Sequence, residues 1–122
     1  MDRKIVQINE VSIAIVYSNE PIIVDAQSML DFLMTIQHYD NCHRIALNKQ
    51  AILEDFFILS TGIAGEILQK LVNYRKKLAI IGDFSVYTSK PLQDFISESN
   101  RGNAIFFVSD EHAAIDKLAL AI

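Results

Sequence analysis

The chain is poor in the residues that staple, break or loosen a fold: one cysteine, two prolines and four glycines in 122 residues. Cys42, being alone, excludes an internal disulfide framework and fits a reducing compartment. With so little Gly and Pro and half of its residues apolar, the sequence predicts neither a disordered segment nor a repeat array. Long hydrophobic runs are missing as well. No stretch reaches the ~20 apolar residues that cross a bilayer, and Met1-Asp2-Arg3-Lys4 leads into a short β-rich stretch broken at Asn9-Glu10 rather than into a leader core. The expectation is a cytoplasmic domain without membrane contact. Positive charge is scarce too. A net charge of −4 argues against nucleic acid as a partner, because phosphate backbones are held by clustered Lys and Arg. The local exception is Lys70, Arg75, Lys76 and Lys77, at the end of a predicted helix, where cations offset the negative end of the helix dipole.

What is present fits one domain with a single continuous core. Ile5 to Ile8 and Val11 to Tyr17 flank Asn9-Glu10 and read as a hairpin. After the short run Ile22 to Val24, Asp25 caps a helix with Ala26, Met29, Leu30, Leu33 and Ile36 on one face. His43 to Leu47 is the next strand. Gln50 to Glu54 has helical-turn character before the apolar Phe56, Phe57, Ile58 and Leu59. Ser60-Thr61-Gly62 opens a second helix with the stripe Ile63, Ala64, Ile67, Leu68, Leu71 and Val72. Leu78 to Ile81 and Ala104 to Val108 are continuously apolar, as strands covered on both faces are. Between them Ser89 caps a third helix carrying Leu92, Phe95 and Ile96, with Pro91 in its first turn and Gly102 past its end. Ser109-Asp110-Glu111 starts a last helix with Ala114, Ile115, Leu118, Ala119 and Ile122 on its buried side. The order predicts an α/β fold: a mixed sheet of about five strands, opened by a hairpin and covered by about four helices.

Three local features carry a resemblance. Ile22-Ile23-Val24-Asp25-Ala26-Gln27-Ser28-Met29-Leu30, Ser60-Thr61-Gly62-Ile63-Ala64-Gly65-Glu66-Ile67-Leu68 and Leu78-Ala79-Ile80-Ile81-Gly82 are similar to segments of the sulfate-transporter and anti-sigma-antagonist (STAS) fold. The segment from Asp55-Phe56-Phe57 through Thr61 to Lys70, Asn73-Tyr74-Arg75 and Ala79 to Ser85 more closely resembles a bacterial family known as domain of unknown function 4180, whose name implies no activity. The STAS resemblance implies a non-enzymatic regulatory module with a phosphorylatable hydroxyl before the loop glycine, the position of Thr61. Phosphate there adds about two negative charges at a helix N-terminus. Leu59 stands where those proteins have Asp. The ordinary role of Ser60 or Thr61 is to cap its helix.

Ligands in open parallel sheets collect beyond the carboxyl ends of the strands, which makes Asp83, Ser85 and Asn48, with Ser60, Thr61, Ser109 and Tyr87, candidates for a small-ligand or enzymatic site. Their ordinary roles are turns and caps. No dinucleotide fingerprint, P-loop or nucleophile elbow is present, and no cofactor is expected. His38, Cys42 and His43 give only three zinc-type ligands where a structural site takes four, so no metal is expected; His112 reads as a solvated side chain. Phe56, Phe57 and Ile58, with Glu66 on the following helix, are candidates for a protein interface if exposed, with a protein partner or a second copy as occupant.

Overall fold

The computed structural model describes residues 2–122. Its first element pair is the hairpin β1 (Asp2–Ile8) and β2 (Val11–Tyr17), joined by a two-residue turn in which Asn9 and Glu10 both have positive φ. That backbone matches the right-handed strand twist, and it places a left-handed conformation on Glu10, where Gly is the favoured residue. Then follow α1 (Ala26–Asp40), β3 (Arg44–Asn48), α2 (Ile63–Asn73), β4 (Lys77–Ile81), α3 (Lys90–Arg101), β5 (Ile105–Val108) and α4 (Glu111–Leu120). The run Ile22 to Val24 forms no strand; Ile23 makes a single bridge to Ile52.

The five strands lie in the order β1-β2-β3-β4-β5, antiparallel in the first pair and parallel in the other three. Each parallel step advances one place in the same direction. Crossovers of one hand then put their helices on one face. Met29, Leu33 and Ile36 of α1, Ala64, Ile67 and Leu71 of α2 and Leu92 of α3 share a core with Ala14, Val16, Ile45, Leu47, Leu78, Ile80, Ile105 and Phe107. Among the described residues α4 is the last element. It folds back to the opposite face, where Ala114 and Leu118 meet Ile13, Ile15, Ala46, Ala79, Phe106 and Val108. The strand centres are thus covered on both sides, the physical reason for their unbroken apolarity.

Three helix starts follow their sequence signals: Asp25, Ser89 and Asp110 accept from the backbone N–H of Ser28, Leu92 and Ala113, and the Ser28 hydroxyl completes a capping box. Two stripe assignments need correction. Val72 is exposed on the outer side of α2, and Ile122 lies past the end of α4, exposed to solvent.

The two edges of the sheet are finished differently. β1 is largely exposed, and its cations turn back over the two faces: Arg3 pairs with Asp40 at the end of α1 (2.8 Å) and Lys4 with Glu111 of α4 (2.9 Å). On β5, the Asn100 side chain of α3 accepts from the Phe107 N–H (2.7 Å) and donates to its carbonyl (3.3 Å). It occupies the Phe107 pair of the groups that a sixth strand would use.

Candidate functional site

Between β3 and α2 the chain has no regular periodicity, and it winds through three 3-10 turns, Lys49–Ala51, Glu54–Phe57 and Leu59–Thr61. Their short repeat drives Phe56 and Phe57 inward and leaves Ile58 outside. Phe56 is fully buried and Phe57 4% exposed, whereas Ile58 is 52% exposed. The two phenylalanines are therefore core residues and not contact residues. They lie edge to face at 4.9 Å, and Phe57 stacks on Tyr87 at 4.8 Å. Of the predicted interface group, Ile58 and Glu66 reach the surface.

The cap of α2 also differs from the expectation. Its N-cap is Gly62, with φ of 81° and no side chain capping it, a backbone that favours glycine. Thr61 instead holds the preceding turns: its hydroxyl contacts the carbonyl oxygens of Asp55 (2.9 Å) and Ile58 (2.8 Å) as donor and accepts from the Ile63 N–H (3.3 Å). Thr61 thus ties the 3-10 turns to the head of the helix while lying exposed itself, with Ser60 exposed beside it. Gly65 is exposed in the first turn of α2, and nothing lies within 4 Å of where its Cβ would stand.

At the carboxyl ends of the strands most polar candidates are engaged within the chain. The Asn48 amide accepts from the Ser18 N–H (2.9 Å) and donates to the Ser18 carbonyl (2.7 Å), prolonging the join between β2 and β3. One Asp83 oxygen accepts from the N–H and the hydroxyl of Ser85 (3.0 and 2.6 Å). Those two bonds, aided by the nearby Lys49 charge, hold the carboxyl below the usual aspartate range. Tyr87 donates to Glu54 (2.8 Å), and burial together with that carboxylate keeps its hydroxyl protonated well above the ordinary phenol range. Glu111 accepts from Tyr17 (2.9 Å) and pairs with Lys4, whose hydrogen bond holds it ionised at lower pH than usual.

Sequence reasoning missed Lys49. Its ammonium lies 4.6 Å from the Tyr87 ring centre and 5.8 Å from that of Phe57, within cation–π range. The stem lies against Gly82: a Cβ there would stand 2.8 Å from Lys49 Cβ. The signal was Gly82 following the strand beside the one that Lys49 follows, a close approach visible only once β3 and β4 are paired.

Asp83 and Ser60 border different depressions, and Thr61 lines neither. Asp83 and Ser109 border an open depression of about 720 Å³ floored by Phe84, Ile96, Phe107 and Val108. Ser60 borders another, of about 510 Å³, with Phe57, Ile58, Leu59, Ser89 and Pro91.

A family model described as a domain of unknown function, DUF4180, matches residues 8–118, from the end of β1 to Leu118 in α4. The chain belongs to the DUF4180 family. The matched stretch contains all of the parallel sheet, the 3-10 segment and Thr61. Neither the curated proteins nor the solved structures contain a match to this DUF4180 chain.

The zinc-type trio is dispersed. α1 ends at Asp40 with Asn41 in a left-handed conformation, so Cys42 leaves the helical face of His38 and is buried, its thiol held above the usual range first by burial and then by the Asp40 charge. His43 Nδ1 faces the Lys76 ammonium at 2.7 Å. An ammonium can only donate, so Nδ1 is the acceptor and the neutral ring carries its proton on Nε2. No helix among the described residues is long and apolar enough to cross a membrane.

Proposed function

We propose that this DUF4180 domain is a non-enzymatic, STAS-like protein-interaction module whose contact surface is the head of α2 with the 3-10 segment before it. The observation that carries the reading is the bare patch formed by exposed Ile58, Ser60 and Gly65 beside Thr61. No packing inside the chain asks for a glycine at Gly65, in the first turn of α2. A helix position without a side chain lets a second backbone approach closely there. The one-way succession of strands with three helices on a shared face supports the STAS-like assignment, as does a hydroxyl immediately before the glycine that heads α2. Phosphorylating Thr61 removes the proton it donates to the Asp55 and Ile58 carbonyls and adds a dianion to an uncharged patch, so it releases the turn and makes the patch negative.

The test uses the immobilised wild-type chain and the exposed-site variants Ile58→Asp, Gly65→Arg and Thr61→Glu in native extract, with captured proteins identified by mass. A partner recovered by the wild type and lost by Ile58→Asp and Gly65→Arg is the expected result. Identical captures by all four chains exclude this surface. Intact mass of the protein from its own host reports on Thr61, where the switch predicts one added phosphate.

A second reading, a small-ligand or enzymatic site at the carboxyl end, draws on the Lys49 ammonium above Tyr87 and Phe57. A thermal-shift screen of metabolites separates the two, because a ligand that binds only the folded chain raises its melting temperature and Lys49→Met abolishes that rise.

A further inference from the structure

The opposite, amino end of the parallel strands holds a depression of about 360 Å³ between the β1–β2 turn, the end of α1 and the end of α2. Arg44 and Lys77, the first residues of β3 and β4, line it together with Arg75, which follows α2. Arg44 is paired in register with Lys77 across adjacent strands, an arrangement of like charges that costs stability unless something compensates it. Burial, and then the Arg44 charge, hold the Lys77 ammonium below its usual range. The ion pairs among the described residues join Arg3 to Asp40, Lys4 to Glu111, Lys90 to Asp94 and His112 to Asp116; none draws on these three cations.

Part of the charge has a structural use. Arg44 Nη1 donates to the carbonyls of Leu118 and Ala121 at the end of α4, and Lys77 donates to the Asn103 carbonyl (2.6 Å) after α3. The remaining Arg44 fork and the other Lys77 protons stay available, and Arg75 has no such carbonyl duty. Its backbone closes α2 from a left-handed conformation (φ 56°), with the Lys76 N–H reaching the Leu71 carbonyl. Glycine is the ordinary residue there, and an arginine in its place is strained. Asn41 and Glu10 at the rim of the same depression are also left-handed. Among the described residues that line the depression, Glu10 is the carboxylate beside the three cations. The chain as a whole carries −4, which repels long polyanions and leaves a compact anion as the matching occupant.

We propose that this amino-end depression binds a small molecule with two or more phosphate or carboxylate groups, held by Arg44, Arg75 and Lys77. Arginine forks pair with such oxyanions through two parallel hydrogen bonds.

The experiment is isothermal calorimetry and thermal unfolding of the full chain with pyrophosphate and with citrate, at ionic strength matched by KCl. Saturable binding with a rise in melting temperature is expected for at least one probe, and the probe that responds identifies the phosphate or the carboxylate source. Arg75→Gly relieves the backbone, so its melting temperature without anion equals or exceeds that of the wild type while its affinity falls at least tenfold. Glu10→Gln binds more tightly. The proposal is overturned if neither probe acts beyond KCl, or if Arg75→Gly binds with wild-type affinity.

Discussion

The carboxyl and amino ends of the sheet settle their polar groups in opposite ways. At the carboxyl end polar groups satisfy one another: Asn48 with the Ser18 backbone, Asp83 with Ser85, Tyr87 with Glu54, Glu111 with Tyr17 and Lys4. At the amino end cations meet the carbonyls that close the helices, and charge is left over. The contrast teaches that the end where ligands are conventionally sought in such sheets can be the more self-contained one. A helix-ending cation has spare donors; a carboxylate already holding an N–H and a hydroxyl has fewer free sites.

The comparison can be broken in four ways. Phe57→Ala removes the platform under Tyr87 and Lys49, and a loss of about 3–5 kcal/mol is expected from urea unfolding; a loss near zero would mean that packing does not fix the carboxyl end. Gly82→Ala forces a Cβ against the Lys49 stem and costs about 1–3 kcal/mol in the same measurement, a loss that Lys49→Gly relieves in the double variant if the close approach is its cause.

At the amino end, Lys76 is buried with Gln37 and His43 as neutral partners and no carboxylate. Lys76→Met is therefore expected to change stability by less than about 1 kcal/mol, unlike the 3–5 kcal/mol lost when half of a buried ion pair is removed. The smallest effect is on pH dependence. His43 is held below its ordinary 6.5 by burial and by Lys76, so the unfolded ring takes up a proton before the folded one does. Stability is present above 6.5 and falls as pH drops from there toward the folded value. Glu111 and Asp83, both depressed, lose their contributions only as pH falls below their ordinary 4.5 and 3.8. Denaturation midpoints of wild type and His43→Gln are expected to diverge between pH 7 and 5, with the variant losing less.

Much of the fold was legible because its signals are local. Asp25, Ser89 and Asp110 cap from their own side chains, and the stripes of α1 and α3 need only a helical period. Val72 and Ile122 failed for a tertiary reason: the sheet covers one narrow side of α2, and α4 stops before its last isoleucine. Residues 49–61 failed because 3-10 turns change direction every three or four residues and leave no period to count. The candidate site was legible in part. Thr61 and Asp83 could be picked out by type, but the depression that Asp83 borders could not, and Lys49 acquires its place only through Gly82 after a neighbouring strand.

The Asn100 clip on β5 has a consequence for assembly. An open-ended fibre built by adding sheet to sheet needs two receptive borders on every copy, one to give and one to take. With the Phe107 groups taken from within, the β5 border has lost one of its bonding residues to the chain itself, and β1 is the less obstructed border.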